Sequence, residues 1–216
     1  MRLAQALRQN ISVLMLTAPD RDQLRLLERR YWQDQELQAD IRRFFTRGRG
    51  PLDTDTFTHV MVRAHRDHWP EFLYEAWRRH RISTALMRSR VAEVFAWVRT
   101  PEALLPTEKW LTLFRHAGFT HDGVPASPPS GVTQLWRASA PEHRFRMSWT
   151  PSLSTARGYA AGQNHAEPGA GRIYTAHVPP ERVLAVLDAK LANPLEVEWI
   201  VNTRGLEVEE ISLASL

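Results

Sequence analysis

Three short segments of this 216-residue chain carry side chains whose types and order could do chemistry together. Arg137 comes first, near the end of the alternating run QLWRAS. Ser148-Trp149-Thr150 closes the next such run, and Glu196-Val197-Glu198 opens a third after Asn193-Pro194. A fixed guanidinium offers several donors at once to phosphate and ribose oxygens, which makes Arg137 a candidate anion clamp. Residues i and i+2 of a strand share a face, so Glu196 and Glu198 can both line one cleft. A carboxylate held against a sugar hydroxyl stabilises the positive charge that grows as a glycosidic bond breaks. A second carboxylate can orient or deprotonate the incoming nucleophile. Taken singly, each segment has a plainer reading: an ion-paired Arg, a common Ser-x-Thr strand, a solvated acidic edge. The ordered set carries the signal.

With its flanking text, that order resembles the arginine–serine–glutamate signature of the ADP-ribosyltransferase family. MSWTPSLSTARGYA is similar to the family's serine strand and the helix after it, and GRIYTAHVPPERVLAV to the hairpin that follows. EVEWIVNTRGLEVEEI is similar to its acidic strand, a turn at Arg204-Gly205 and a closing strand. The resemblance implies NAD as substrate, no metal, and cleavage of the nicotinamide–ribose bond. It implies Glu198 as the catalytic carboxylate at the ribose 2′-hydroxyl and Glu196 as the second catalytic group, acting on the acceptor. It also implies that Arg137, Ser148 and Thr150 bind NAD, with Ser148 bonded to Glu198 and Thr150 shaping the pocket wall. Phe145 and Tyr159 are candidates to stack on nicotinamide, whereas Trp149 alternates toward the core. The implied reaction is mono-ADP-ribosylation of a macromolecular acceptor, with protein arginine favoured by a Glu at position 196. An NAD glycohydrolase using water is the alternative, and a non-catalytic nucleic-acid or protein binding module is a further one. The chain departs from the family in having Thr150 where Ser is usual and a short loop before Glu196.

Those side chains need an α+β scaffold: an N-terminal helical region, 1–125, followed by an ADP-ribosyltransferase-like split β-sandwich in 126–216. In the first region apolar residues recur at helical spacing. Leu3, Leu7, Val13 and Leu14 form one stripe, and Leu24, Leu27 and Tyr31 a second. Leu37, Ile41, Phe44 and Phe45 form a third, capped by Asp34 and closed by Gly48. Phe57, Val60, Met61 and Ala64 mark another helix, and Trp69-Pro70 restarts the chain. Further helices are expected over Ser83–Val98 and over Thr107–Gly118, the latter with Thr107 as N-cap. The Pro/Gly/Ser-rich stretch 121–131 reads as a linker. Beyond it the period changes to two, predicting strands at 132–138, 145–149, 172–178, 182–188, 195–201 and 206–213, with a short helix after Ser152.

Composition narrows the remaining options. With no Cys there is no disulfide, thiolate catalysis or Cys-ligated zinc. No apolar run is long enough for a membrane span, and the short ISVLML run lacks the features of a signal peptide, so a cytoplasmic location is expected, or delivery into another cell. Residues 1–125 hold 20 basic and 15 acidic side chains, against 8 and 9 in 126–216. The basic first region could therefore meet an acidic acceptor or nucleic acid. His59, His65, His68 and His80 lack a metal-site spacing. Glu207, Glu209 and Glu210 read as a solvated face. No GxGxxG, P-loop or GxSxG occurs.

Overall fold

Asp53 opens the first described helix, α1 (Thr54–Arg63), by accepting from the Thr56 amide at 2.6 Å. The computed structural model describes residues 50–64, 66–98, 100–162, 171–188 and 197–211, all within the unit Arg49–Leu216. The helices expected before residue 49 lie outside the described residues. After α1, a 3₁₀ turn (Arg66–His68) leads into α2 (Trp69–Arg78), with Pro70 in its first turn, where a missing N–H costs nothing. Ser83 caps α3 (Thr84–Trp97) through the Leu86 amide at 3.2 Å. The short α4 (Pro101–Leu104) is tied down by the Trp110 indole N–H, which donates to the Pro101 carbonyl at 3.0 Å. α5 (Thr107–Ala117) ends at Gly118, whose φ of +74° only glycine adopts cheaply. The expected Thr107 cap is not formed: Pro106 holds the N-cap position, and Thr107 turns its hydroxyl toward Glu102 instead.

α3 and α5 bury Phe95 against Trp110 and Phe114, with ring centroids 5.1 and 5.8 Å apart in edge-on geometry. Each such fully buried side chain contributes about 1.5–3 kcal/mol, so this aromatic cluster is the helical layer's core.

Beyond α5 come the strands, interrupted by one further helix among the described residues. They are β1 (Thr120–His121), β2 (Val124–Pro125), β3 (Thr133–Ser139), β4 (Ser148–Trp149), β5 (Arg172–Val178), β6 (Val183–Leu187), β7 (Glu198–Val201) and β8 (Glu209–Ile211). One sheet has the order β2-β1-β6-β7-β4 and the other β3-β5-β8. Every pair is antiparallel except β1 with β6. Leu135, Tyr174, Ala176 and Val178 of one sheet share a core with Trp149, Val183, Val186 and Val201 of the other. Ser152 caps α6 (Leu153–Ala160) at the Thr155 amide, 3.1 Å.

Two expectations change here. Residues 121–125, read as linker, belong instead to the β1–β2 hairpin. Asp122 (φ 51°) and Gly123 (φ 74°) make its turn, since both central residues of such a turn take positive φ. One sheet thus draws strands from both sides of position 125. The strand expected over 145–149 is only β4, because Phe145 lies in a turn and Arg146 bonds back to the His143 carbonyl at 3.1 Å.

Candidate active site around Arg137

Arg137 leaves β3 and anchors the connection that returns as β4. Its Nε donates to the His143 carbonyl at 3.1 Å and its Nη1 to the Ser148 carbonyl at 2.6 Å. The two strands also meet through a bridge between Trp136 and Thr150, whose amides and carbonyls exchange bonds of 2.8 and 2.9 Å. β4 in turn pairs with β7, with Ser148 opposite Ile200 and Trp149 opposite Trp199. Three consecutive neighbours, β3, β4 and β7, therefore carry Arg137, Ser148 and Glu198.

The expected bond of Ser148 to Glu198 is not among the described contacts, and the register gives the reason. Ser148 stands opposite Ile200, and Glu198 stands opposite Leu187 on β6. The next step along β4 from Trp149 runs toward Thr150 on one strand and Glu198 on the other. Trp149 and Trp199 point into the shared core. Alternation therefore puts Ser148 and Glu198, both half-buried, on the face of their sheet away from that core. Arg137, two residues from Leu135 and opposite Tyr174, starts from the core-facing side of its own sheet, so the register does not turn the three side chains to one face. Thr150 is buried, and its hydroxyl accepts from the Ser152 amide at 3.2 Å, so it fixes the entry to α6 as well. Phe145 is exposed, with the Arg144 guanidinium 4.6 Å above its ring, and Tyr159 is half-buried on α6. Glu196 lies outside the described residues.

Sequence reasoning missed one member of this neighbourhood. Glu102 of α4 reaches across from the helical layer, and its Oε1 accepts from the Met147 amide at 3.1 Å. The Thr107 hydroxyl donates to the same oxygen at 3.5 Å. Burial pushes the Glu102 carboxyl above the usual carboxylate range, opposed first by Arg137, then by the Met147 amide and Arg146. A half-buried carboxylate with a raised pKa is the kind of environment in which functional groups are tuned. On the Arg137 side of β3, Ser139 Oγ is buried with no hydrogen-bond partner among the described residues. Such groups cost stability unless something else offsets them.

Away from Arg137, parallel pairing brings the ends of β1 and β6 together. His121 Nε2 lies 2.7 Å from Asp188 Oδ2 and 4.0 Å from Asp122 Oδ2, while Asp122 Oδ1 accepts from the Asp188 amide at 2.8 Å. These three residues could hold a metal ion. The His121–Asp188 contact also satisfies both groups without one. Among the described residues, none of His59, His68 and His80 joins such a cluster, and His65 is not among them. Glu207, Glu209 and Glu210 are exposed, and Glu210 pairs with Arg172 at 3.0 Å. No helix among the described residues is long and apolar enough to cross a membrane. No family model, curated protein or solved structure matches this chain.

Proposed function

We propose that Arg137, Ser148, Thr150 and Glu198 form an NAD site of ADP-ribosyltransferase type, and that the chain transfers ADP-ribose from NAD to a macromolecular acceptor. One observation carries the reading: the guanidinium of β3 is bonded to the β4 backbone at Ser148, and β4 pairs directly with the Glu198 strand. Segments 11 and 61 residues from Arg137 in sequence (148 − 137 and 198 − 137) thus become neighbours.

In this reading the guanidinium of Arg137 holds the pyrophosphate. Glu198 accepts from the ribose 2′-hydroxyl and stabilises the oxocarbenium character at C1′ as the bond to nicotinamide breaks, its electron pair leaving with the ring. The acceptor nitrogen then bonds to C1′, and its proton passes to Glu196. Exposed Phe145 supplies a face for stacking on nicotinamide. An arginine side chain is the favoured acceptor, and the helical layer would offer its binding surface.

The test is nicotinamide release from NAD labelled in its ADP-ribose half, with and without a protein mixture. Label retained on protein supports transfer, and free ADP-ribose alone makes water the acceptor. Glu198→Gln should bind NAD and release nicotinamide at least about a hundredfold more slowly. Wild-type rates in that variant, or no release by the parent chain, would remove this assignment.

A further inference from the structure

We infer that His121, Asp122 and Asp188 form a binding site for a divalent transition-metal ion, with zinc the best fit. The inference stands apart from the NAD reading. Its residues lie at the end of β1, in the hairpin turn and just past β6, and none of them belongs to the proposed NAD site.

The ladder between β1 and β6 puts the three groups side by side. Thr120 pairs with Ala185 and His121 with Val186, and the Asp122 amide donates to the Val186 carbonyl at 2.9 Å. The Asp188 amide then donates to Asp122 Oδ1 at 2.8 Å, so a side-chain oxygen carries the pairing one step past the strand. With Oδ1 committed in this way, Asp122 Oδ2 lies 4.0 Å from His121 Nε2, and Asp188 Oδ2 lies 2.7 Å from the same nitrogen. One ligand atom of each residue is within 4.8 Å of the other two. A hydrogen bond that fixes one oxygen of a carboxylate orients the other for a metal.

An exposed His–Asp pair contributes little and needs only one carboxylate. Here two carboxylates are turned to one ring nitrogen, and a divalent cation satisfies all three groups at once. Two ligands of a tetrahedral zinc, each about 2.1 Å from it, lie about 3.4 Å apart. The separations from Nε2, 2.7 and 4.0 Å, bracket that value. Small side-chain rotations therefore admit the ion, and a proton held between Nε2 and Asp188 Oδ2 leaves to solvent. Three protein ligands leave a fourth position for water, and exposed His121 puts that position at the surface. An imidazole nitrogen with carboxylate oxygens suits zinc, whereas magnesium favours an all-oxygen shell. The bound ion fastens the β1–β2 hairpin to the end of β6.

The experiment is calorimetric titration of the full chain, first stripped with a chelator, with zinc chloride and separately with magnesium chloride. The parent chain should bind one zinc ion at micromolar concentration and magnesium far more weakly. Asp188→Asn keeps the side chain's shape and removes its charge, and His121→Ala removes the nitrogen; each should weaken zinc binding at least about tenfold. His59→Ala, exposed and outside the cluster, should leave it unchanged. Full-strength zinc binding in Asp188→Asn or His121→Ala overturns the inference, as does a parent chain that binds no zinc or binds magnesium equally well. Should one variant not fold, the other decides. Should neither fold, the imidazole signals of the parent chain decide by magnetic resonance: those of His121 should shift at the first equivalent of zinc, and their failure to move overturns the inference.

Discussion

Replacing Arg137 tests what the described contacts hold together, separately from any activity. The guanidinium makes two charge-assisted bonds to main-chain carbonyls, at 3.1 Å to His143 and 2.6 Å to Ser148. Bonds to charged groups contribute about 1.5–3 kcal/mol each, and half-exposure of Arg137 argues for the lower end, about 3 kcal/mol for the pair. Arg137→Ala loses both and strips Glu102 of its neighbouring cation. Arg137→Lys keeps a charge and can reach one carbonyl, so it loses about half as much, about 1.5 kcal/mol. With a urea slope of about 2 kcal/mol per molar, the midpoints should fall by about 1.5 M and 0.7 M respectively. Urea unfolding followed by tryptophan emission suits this, because Trp136 and Trp149 lie on the two strands that Arg137 joins. Shifts below about 0.3 M in both variants, or equal shifts in the two, would refute the view that Arg137 braces β3 against β4.

Glycine replacements should separate backbone strain from collision. Gly123 and Gly205 both have positive φ, at 74° and 67°, so alanine should cost about 1–2 kcal/mol at either. Only at Gly123 would the added Cβ also lie 3.0 Å from the Ser89 carbonyl oxygen of α3, so Gly123→Ala should melt lower than Gly205→Ala. Equal melting temperatures would mean that the hairpin and α3 can separate freely. Glu102→Gln should also change stability with pH. A carboxyl raised by burial favours folding most when protonated, below its ordinary value, and this contribution is lost as pH rises through the raised one. The Gln variant should therefore melt higher than the parent at neutral pH, with the gap closing in acid. A gap that widens in acid would contradict that sign.

The sequence spoke most clearly where a segment's own residues decide its state. Strand β5 runs from Arg172 to Val178 as its alternating β-branched and aromatic residues predicted, and the Ser83 and Ser152 caps fall where small hydroxyl residues precede apolar helical runs. It spoke less clearly where context outweighs local chemistry. Asp122-Gly123 is a hairpin signal, but five Pro and Ser residues just after it made the whole stretch read as linker. Thr107 is a good cap by type, yet Pro106 already starts the turn. Residue type and order single out Arg137, Ser148 and Glu198 as candidates, but say nothing of the carbonyls that Arg137 holds. Glu102 was invisible: an acidic residue in a helical first turn is ordinary, and its bond to Met147 spans 45 positions.

The parallel partnership of β1 with β6 also governs how the chain can be divided. Cutting just before residue 126 would separate the strands that carry Arg137, Ser148 and Glu198 from helices α1 to α5. Such a fragment would strip β6 of the neighbour that pairs Thr120 with Ala185 and His121 with Val186. The backbone donors and acceptors along that side would be laid bare beside Val186 and Leu187, inviting other chains to add on as an open rim. A fragment that keeps β6 paired on both sides must therefore retain the Asp122-Gly123 hairpin, and with it α3, against whose Ser89 carbonyl that hairpin turns.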